Sequence, residues 1–237
     1  MKLLLTSLSL LLFCFAHAQH DPTGTWSVVN AKINIDRNWS IFAETQTRSQ
    51  HIFNDFYYYE LKGGFGYSIN KNFTLLAGAG RYATYSNDGN FSKPFANEEF
   101  RIWQQVTMNK YLARLKFEHR YRIEQRWLTS GYRNRFRYRL NAYFPLNNKN
   151  FERKTFYLTA FDEIFLTNIA PYFERNRVFG GVGYKFNDKL ILQPGYLYQF
   201  DYRSDNSRSG KGFLQLTLFI EVDSHKRGPG KLPASED

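Results

Sequence analysis

The chain has 237 residues, with 32 Lys and Arg against 21 Asp and Glu, a net charge of +11 and a mean hydropathy of −0.53. That length suits one domain, and a lone cysteine, Cys14, excludes a disulfide scaffold. The basic balance asks for an anionic counterpart, while 17 Tyr and 23 Phe are more aromatic residues than an ordinary soluble domain of low hydropathy carries.

The chain opens with Lys2, a mostly apolar run from Leu3 to Phe15 and the small-residue site Ala16-His17-Ala18. Charge, apolar core and A-x-A site in that order predict a secretory signal peptide over 1–18. Cys14 falls inside it, and the bulky Phe13 before it argues against a lipoprotein site. Export also removes nucleic acid as a natural partner. No later stretch reaches the ~18 consecutive apolar residues of a spanning helix.

From there the period is two, that of a β-strand. Strands are predicted near 25–35, 39–49, 55–69, 73–85, 97–108, 111–126, 132–144, 155–166, 175–186, 189–202 and 211–222. Their lengths suit tilted membrane strands of at least ~9–11 residues better than soluble sandwich strands of ~5–6. Short Asn/Asp/Lys-rich turns are expected at 36–38, 70–72, 109–110 and 187–189, with a longer member at 145–150. More variable connections are expected at 49–54, 86–96, 167–174 and 203–210, and alternating short and long connections are a membrane-barrel pattern. Tyr57, Tyr59, Leu61, Phe65, Tyr67 and Ile69 share one face of the third strand. Phe100, Ile102, Val106 and Met108 do so in the fifth, and Leu214, Leu216, Leu218 and Ile220 in the last. Pro194 cannot donate to a ladder, which predicts a bulge or pairing defect there. Residues 223–237 read as a disordered C-terminal tail. Ten strands from Trp39 onward form an even set, so the 25–35 segment makes an eleventh running the wrong way, and the count stands at about 10–12.

The strongest polar pattern is a ladder on alternate positions: Arg114, Lys116, Glu118, Arg120, Arg122, Glu124 and Arg126, then Arg133, Arg135, Arg137 and Arg139. Aromatic and aliphatic residues interleave, which predicts a charged inner wall behind a lipid-facing outer one. Glu60, Lys62, Glu99, Arg101, Glu163 and Arg177 complete the expected lumen network. One reading is a salt-bridged interior, since buried charges must be paired and long side chains fill a narrow barrel. The other is a passage or site for small anions using Arg101, Arg120, Arg122, Arg135, Arg137 and Arg139.

A lipid-acting hydrolase needs a Ser oriented by a His. His119 has the parity to face lipid, but its same-face neighbours are Phe117 and Tyr121. No His-x-x-x-His or calcium loop points to a metal, so no cofactor and no metal are expected.

The runs EFRIWQQ at 99–105 and RYRIEQR at 120–126, the alternating arginines of 133–139, then Asp162-Glu163, Asn176-Arg177, Gly183-Tyr184 and Gly195-Tyr196 occur in an order that resembles the domain of unknown function 2490 family. The resemblance implies an exported bacterial barrel and supplies no reaction. The expectation is therefore all-β: a single antiparallel transmembrane β-barrel over 19–222 in the cell outer membrane. Its expected role is non-enzymatic, structural or envelope-interacting. A narrow anion channel or binding barrel is the alternative, and a lipid-modifying enzyme comes third. Expected partners are outer-membrane lipid and lipopolysaccharide, the barrel-assembly machinery during insertion and, on the alternative, a small anionic solute; nucleic acid is not among them.

Overall fold

The computed structural model describes residues 23–86, 90–203 and 205–223. The expected signal peptide and all of the expected tail beyond Asp223 lie outside these residues; Asp223 itself ends the last strand. Eleven strands follow in chain order: β1 (Gly24–Asn34), β2 (Trp39–His51), β3 (Asn54–Ser68), β4 (Phe73–Tyr85), β5 (Phe95–Leu112), β6 (Leu115–Leu128), β7 (Gly131–Pro145), β8 (Thr155–Thr167), β9 (Phe173–Lys185), β10 (Leu190–Tyr202) and β11 (Arg208–Asp223). Each pairs antiparallel with the next, and β1 closes on β11 to make one barrel.

That closing pair is parallel, running from Gly24 opposite Phe213 to Asn34 opposite Asp223. It settles the odd strand: eleven alternating strands leave one pair with like direction, and Gly24 and Asp223 lie at opposite ends of the barrel. The end where Asp223 emerges carries the connections 35–38, 69–72, 113–114, 146–154 and 186–189 and is here called the turn end. Connections 52–53, 86–94, 129–130, 168–172 and 203–207 lie at the mouth.

Three turn-end connections are built alike. The carboxylate of Asp36 accepts the backbone N–H groups of Asn38 and Trp39, each at 2.7 Å. The Asn70 side chain accepts those of Asn72 and Phe73 at 2.8 and 3.0 Å, and Asn187 those of Lys189 and Leu190 at 2.8 and 3.0 Å. An Asx side chain that ties down two successive N–H groups explains why these turns begin with Asp or Asn.

Two expectations about connections fail. The turn expected at 109–110 is strand: Asn109 pairs with Glu118 and Lys110 with Phe117. The chain reverses at 113–114, where Ala113 takes a positive φ of 51°, as two-residue hairpins require. Tyr111 and Leu112 therefore belong to β5. The alternation of short and long connections also disappears, because strands extend into the mouth loops. The mouth has connections as short as two residues at 52–53 and 129–130, and each end has one of nine.

Side chains alternate as the period-two pattern requires. Leu61, Phe65, Phe100, Ile102, Leu214 and Leu216 point outward and are exposed, while Glu60, Lys62, Glu99 and Arg101 point inward and are buried. Pro194 leaves the predicted defect: pairing between β9 and β10 skips Gln193 and Pro194 without changing register, while the β11 side stays continuous. Rings fill the lumen where backbone leaves room. A Cβ on Gly183 would stand 2.0 Å from Tyr157 Cζ, so only glycine lets that ring lie against the wall.

Candidate functional site: a charged lumen with a cationic mouth

The lumen has three zones. Towards the turn end it holds two apolar and aromatic clusters: Phe42, Leu76 and Trp103 form one. Tyr143, Phe151, Tyr157, Ile191 and Phe219 form another. Phe151 comes from the 146–154 connection and is buried in this cluster, so that connection folds into the barrel at this end.

The middle is an ion-pair lattice hung on two carboxylates with no exposed surface, Glu124 and Glu163. Arg135 Nε donates to Glu124 at 2.8 Å and Arg137 Nη1 at 2.7 Å. Arg137 Nε also donates to Glu163 at 2.9 Å, joined by Arg120 at 2.6 Å and Arg139 at 2.7 Å. Arg137 thus bridges the two carboxylates. The guanidinium groups stack against rings of the adjacent strand β8: Arg139 lies 4.0 Å from the Phe161 ring centre, and Arg137 and Arg177 lie 4.6 and 4.7 Å from that of Phe165. Arginine tolerates such burial because its planar, weakly hydrated head offers a face to aromatics and an edge to carboxylates.

The remaining expected residues join this lattice with three qualifications. Glu99 is held by Arg101 at 2.6 and 2.8 Å and by Arg126 at 3.0 Å. Glu60 accepts from Lys62 at 2.8 Å. Arg122 donates to Gln105 at 2.8 and 2.6 Å, and Arg177 to Gln199 at 2.9 Å. Lys116 and Glu118 form a separate pair at 3.0 Å, and Arg133 sits at the mouth 3.4 Å from Glu174. Arg114 is not in the lumen. The shift of the hairpin places it in the turn, where it donates to the carbonyls of Pro145, Leu146 and Asn148 at 2.7, 3.1 and 2.7 Å.

The third zone is a cavity of about 440 Å3 inside the mouth. Nine arginines line it against four carboxylates, Glu60, Glu99, Glu174 and Asp201, together with Tyr57, Tyr58 and Tyr82. Two of these residues break the strand parity that sequence reasoning relies on. Between β8 and β9 the register jumps from Phe165–Arg175 to Leu166–Phe173. Glu174 is the extra residue of that bulge, and its side chain turns inward onto Arg126 and Arg135 at 3.0 and 3.3 Å. Between β2 and β3 the jump from Arg48–Tyr58 to Ser49–Phe56 frees Tyr57 in the same way, so Tyr57 lines the cavity instead of the expected outer face. A third shift, at Thr84 and Tyr85, lies on the same rim. Bulges re-aim side chains and gather at barrel rims and beside functional sites.

Sequence reasoning also passed over Glu44, which pairs with Lys62 at 2.7 Å; Arg175, which donates to Asp201; and Arg48. All three sit on inward positions of short runs without an alternating charge pattern to draw the eye.

Among families of known sequence, the one described as "Protein of unknown function (DUF2490)" matches residues 23–210. The chain belongs to this family. The match spans β1 to the start of β11, so the ion-pair lattice and the cationic mouth both lie within the family region. No curated protein matches the chain, and no solved structure does.

Proposed function

We propose that the chain is a non-enzymatic outer-membrane β-barrel whose lumen is packed by ion pairs and aromatic rings and closed to passive flux. One observation carries the reading: the barrel has its polarity inside out. Among the described residues the buried set holds twelve Lys and Arg and six Glu, while Leu61, Phe65, Tyr67, Ile102 and Leu216 stand exposed on the outer wall. In water such a surface far exceeds the apolar patch of a few hundred Å2 that soluble monomers show, whereas hydrocarbon accepts it.

Polar groups on the outer wall add support, because they are partnered along the wall. Gln104 and Gln125 exchange hydrogen bonds at 3.2 and 3.1 Å. Asn176 donates to Asp162 at 2.5 Å, and Arg81 pairs with Glu98. Polar atoms facing hydrocarbon need internal partners, since no water supplies one. Lipopolysaccharide and outer-membrane lipid are then the natural surroundings, and the barrel-assembly machinery the natural route of insertion.

The hydrolase alternative gains no support: His119 Nδ1 sits 2.9 Å from the Tyr138 hydroxyl, and among the described residues no serine hydrogen-bonds to it. The test is fractionation of cells expressing the chain. Recovery in the outer-membrane fraction, with mobility on denaturing gels that shifts on heating, supports the reading. Recovery as a detergent-free soluble monomer refutes it. Deleting the gene should leave the phospholipid and lipid A profiles unchanged; an altered acylation pattern would restore the enzyme reading.

A further inference from the structure

The mid-barrel carboxylates leave a surplus of positive charge that the mouth cavity collects. The cavity lining carries nine arginines against four acids. Low-dielectric surroundings make unmatched charge costly unless a counter-charge is supplied.

Arg48 pairs with its carboxylate only at long range and keeps one donor unmatched. Its guanidinium is clamped between two rings, 3.5 Å from the Trp26 centre and 4.0 Å from that of Tyr58. The side chain is 8% exposed, and its nearest carboxylate, Glu60, is 3.6 Å away. Its buried Nε has no hydrogen-bond partner. Arg177 lies over the same Trp26 ring at 4.7 Å, so two cations converge on one indole. Trp26 is itself fixed, donating to Gln46 at 2.7 Å. Arg133, further round the mouth, also has a buried Nε without a partner. A guanidinium clamped between two rings with one N–H unmatched, as in Arg48, is a preorganised donor for an oxyanion.

We propose that the mouth cavity binds a small soluble multivalent oxyanion, bearing phosphate or carboxylate groups, with Arg48 as its anchor and Arg133 and Arg177 as flanking donors. The valence follows from the lining charge: a monoanion offsets only a fraction of the excess. The size follows from the volume, which lies in the lower part of the ~300–1,000 Å3 range of small-molecule sites. The bulge at Tyr57 adds a phenol hydroxyl to the lining, a further donor for such a ligand. The site rests on the cavity and is independent of the membrane reading.

The test is calorimetric titration of the full mature chain in detergent with sodium pyrophosphate, trisodium citrate and sodium chloride as separate probes. Saturable one-to-one binding of pyrophosphate or citrate is expected, weakening at least tenfold between low and high salt, with no saturable signal from chloride. Preference between the first two probes decides whether phosphate or carboxylate is the better fit. Arg48→Gln should lower affinity at least tenfold and Arg48→Lys less, whereas Arg153→Gln, an exposed pair outside the cavity, should leave it unchanged. If Arg48→Gln does not fold, the wild-type protein decides by itself through the rise in its unfolding temperature with saturating probe. Absence of saturable binding by both multivalent probes, or equal affinity in folded Arg48→Gln, overturns the proposal.

Discussion

Replacing Glu163 by Gln isolates what the buried lattice contributes. The carboxylate is fully buried and accepts from Arg120, Arg137 and Arg139 at 2.6 to 2.9 Å, with Arg177 a further 3.9 Å away. Glutamine keeps one carbonyl acceptor but removes the charge and turns an N–H2 group towards guanidinium donors. Removing one partner of a buried pair costs ~3–5 kcal/mol, and here several cations lose the same counter-charge, so the upper half of that range is expected. Because cations outnumber carboxylates in the lumen, Arg139→Gln should cost clearly less than Glu163→Gln, and the double variant should recover part of the single loss. Urea unfolding of the lipid-reconstituted barrel, followed by tryptophan fluorescence, reads all three as midpoint shifts at constant slope. A loss below about 1 kcal/mol for Glu163→Gln, the size of an exposed pair, would mean that water screens the lattice and the packed-lumen reasoning is wrong.

Gly183→Ala should destabilise by ~1–3 kcal/mol, the usual cost of overpacking, because the new Cβ meets the Tyr157 ring; adding Tyr157→Leu should return most of it in the same unfolding assay. The parallel closure predicts that Val29→Cys with Leu218→Cys, directly paired positions, crosslinks under mild oxidation, whereas Val29→Cys with Leu192→Cys, one strand further round, does not. Failure of the first pair would open the barrel at β1. Arg153 donates to Asp188 at 2.6 Å across two turn-end connections, and this hydrogen bond holds the Asp188 carboxyl below the usual aspartate range. Its small stabilisation is therefore present at neutral pH and lost as pH falls through that lowered value. Both groups are substantially exposed, so Arg153→Ala should change stability by no more than ~0.5 kcal/mol while raising the Asp188 titration midpoint seen by NMR.

The strands, their inward and outward faces and most of the lattice were legible because a period of two is written directly into side-chain chemistry, as in Arg135, Arg137 and Arg139. What escaped was whatever breaks that period. Glu174 and Tyr57 carry outward parity and face inward only because a bulge adds one residue, a backbone event that leaves no mark on composition. The hairpin at 113–114 was hidden by better turn formers nearby: Asn109 and Lys110 attract a turn by type, yet the reversal falls on Ala113, which adopts a positive φ against its preference. Arg114 was misassigned for the same reason. The parallel partner of β1 was illegible in principle, since it depends on how the ends of the sheet meet. Arg48 was overlooked because one arginine in a Thr/Gln-rich strand has no pattern, although its place between Trp26 and Tyr58 makes it the most exactly positioned cation at the mouth.

The most direct test of the closed lumen is electrical. The purified mature barrel, reconstituted singly into a planar bilayer in molar potassium chloride, is predicted to give no steady ohmic current, because the Glu124–Glu163 lattice and the Phe151 cluster occupy the cross-section. Reproducible single-molecule current steps with anion selectivity would contradict the account and make the arginines the wall of an open passage.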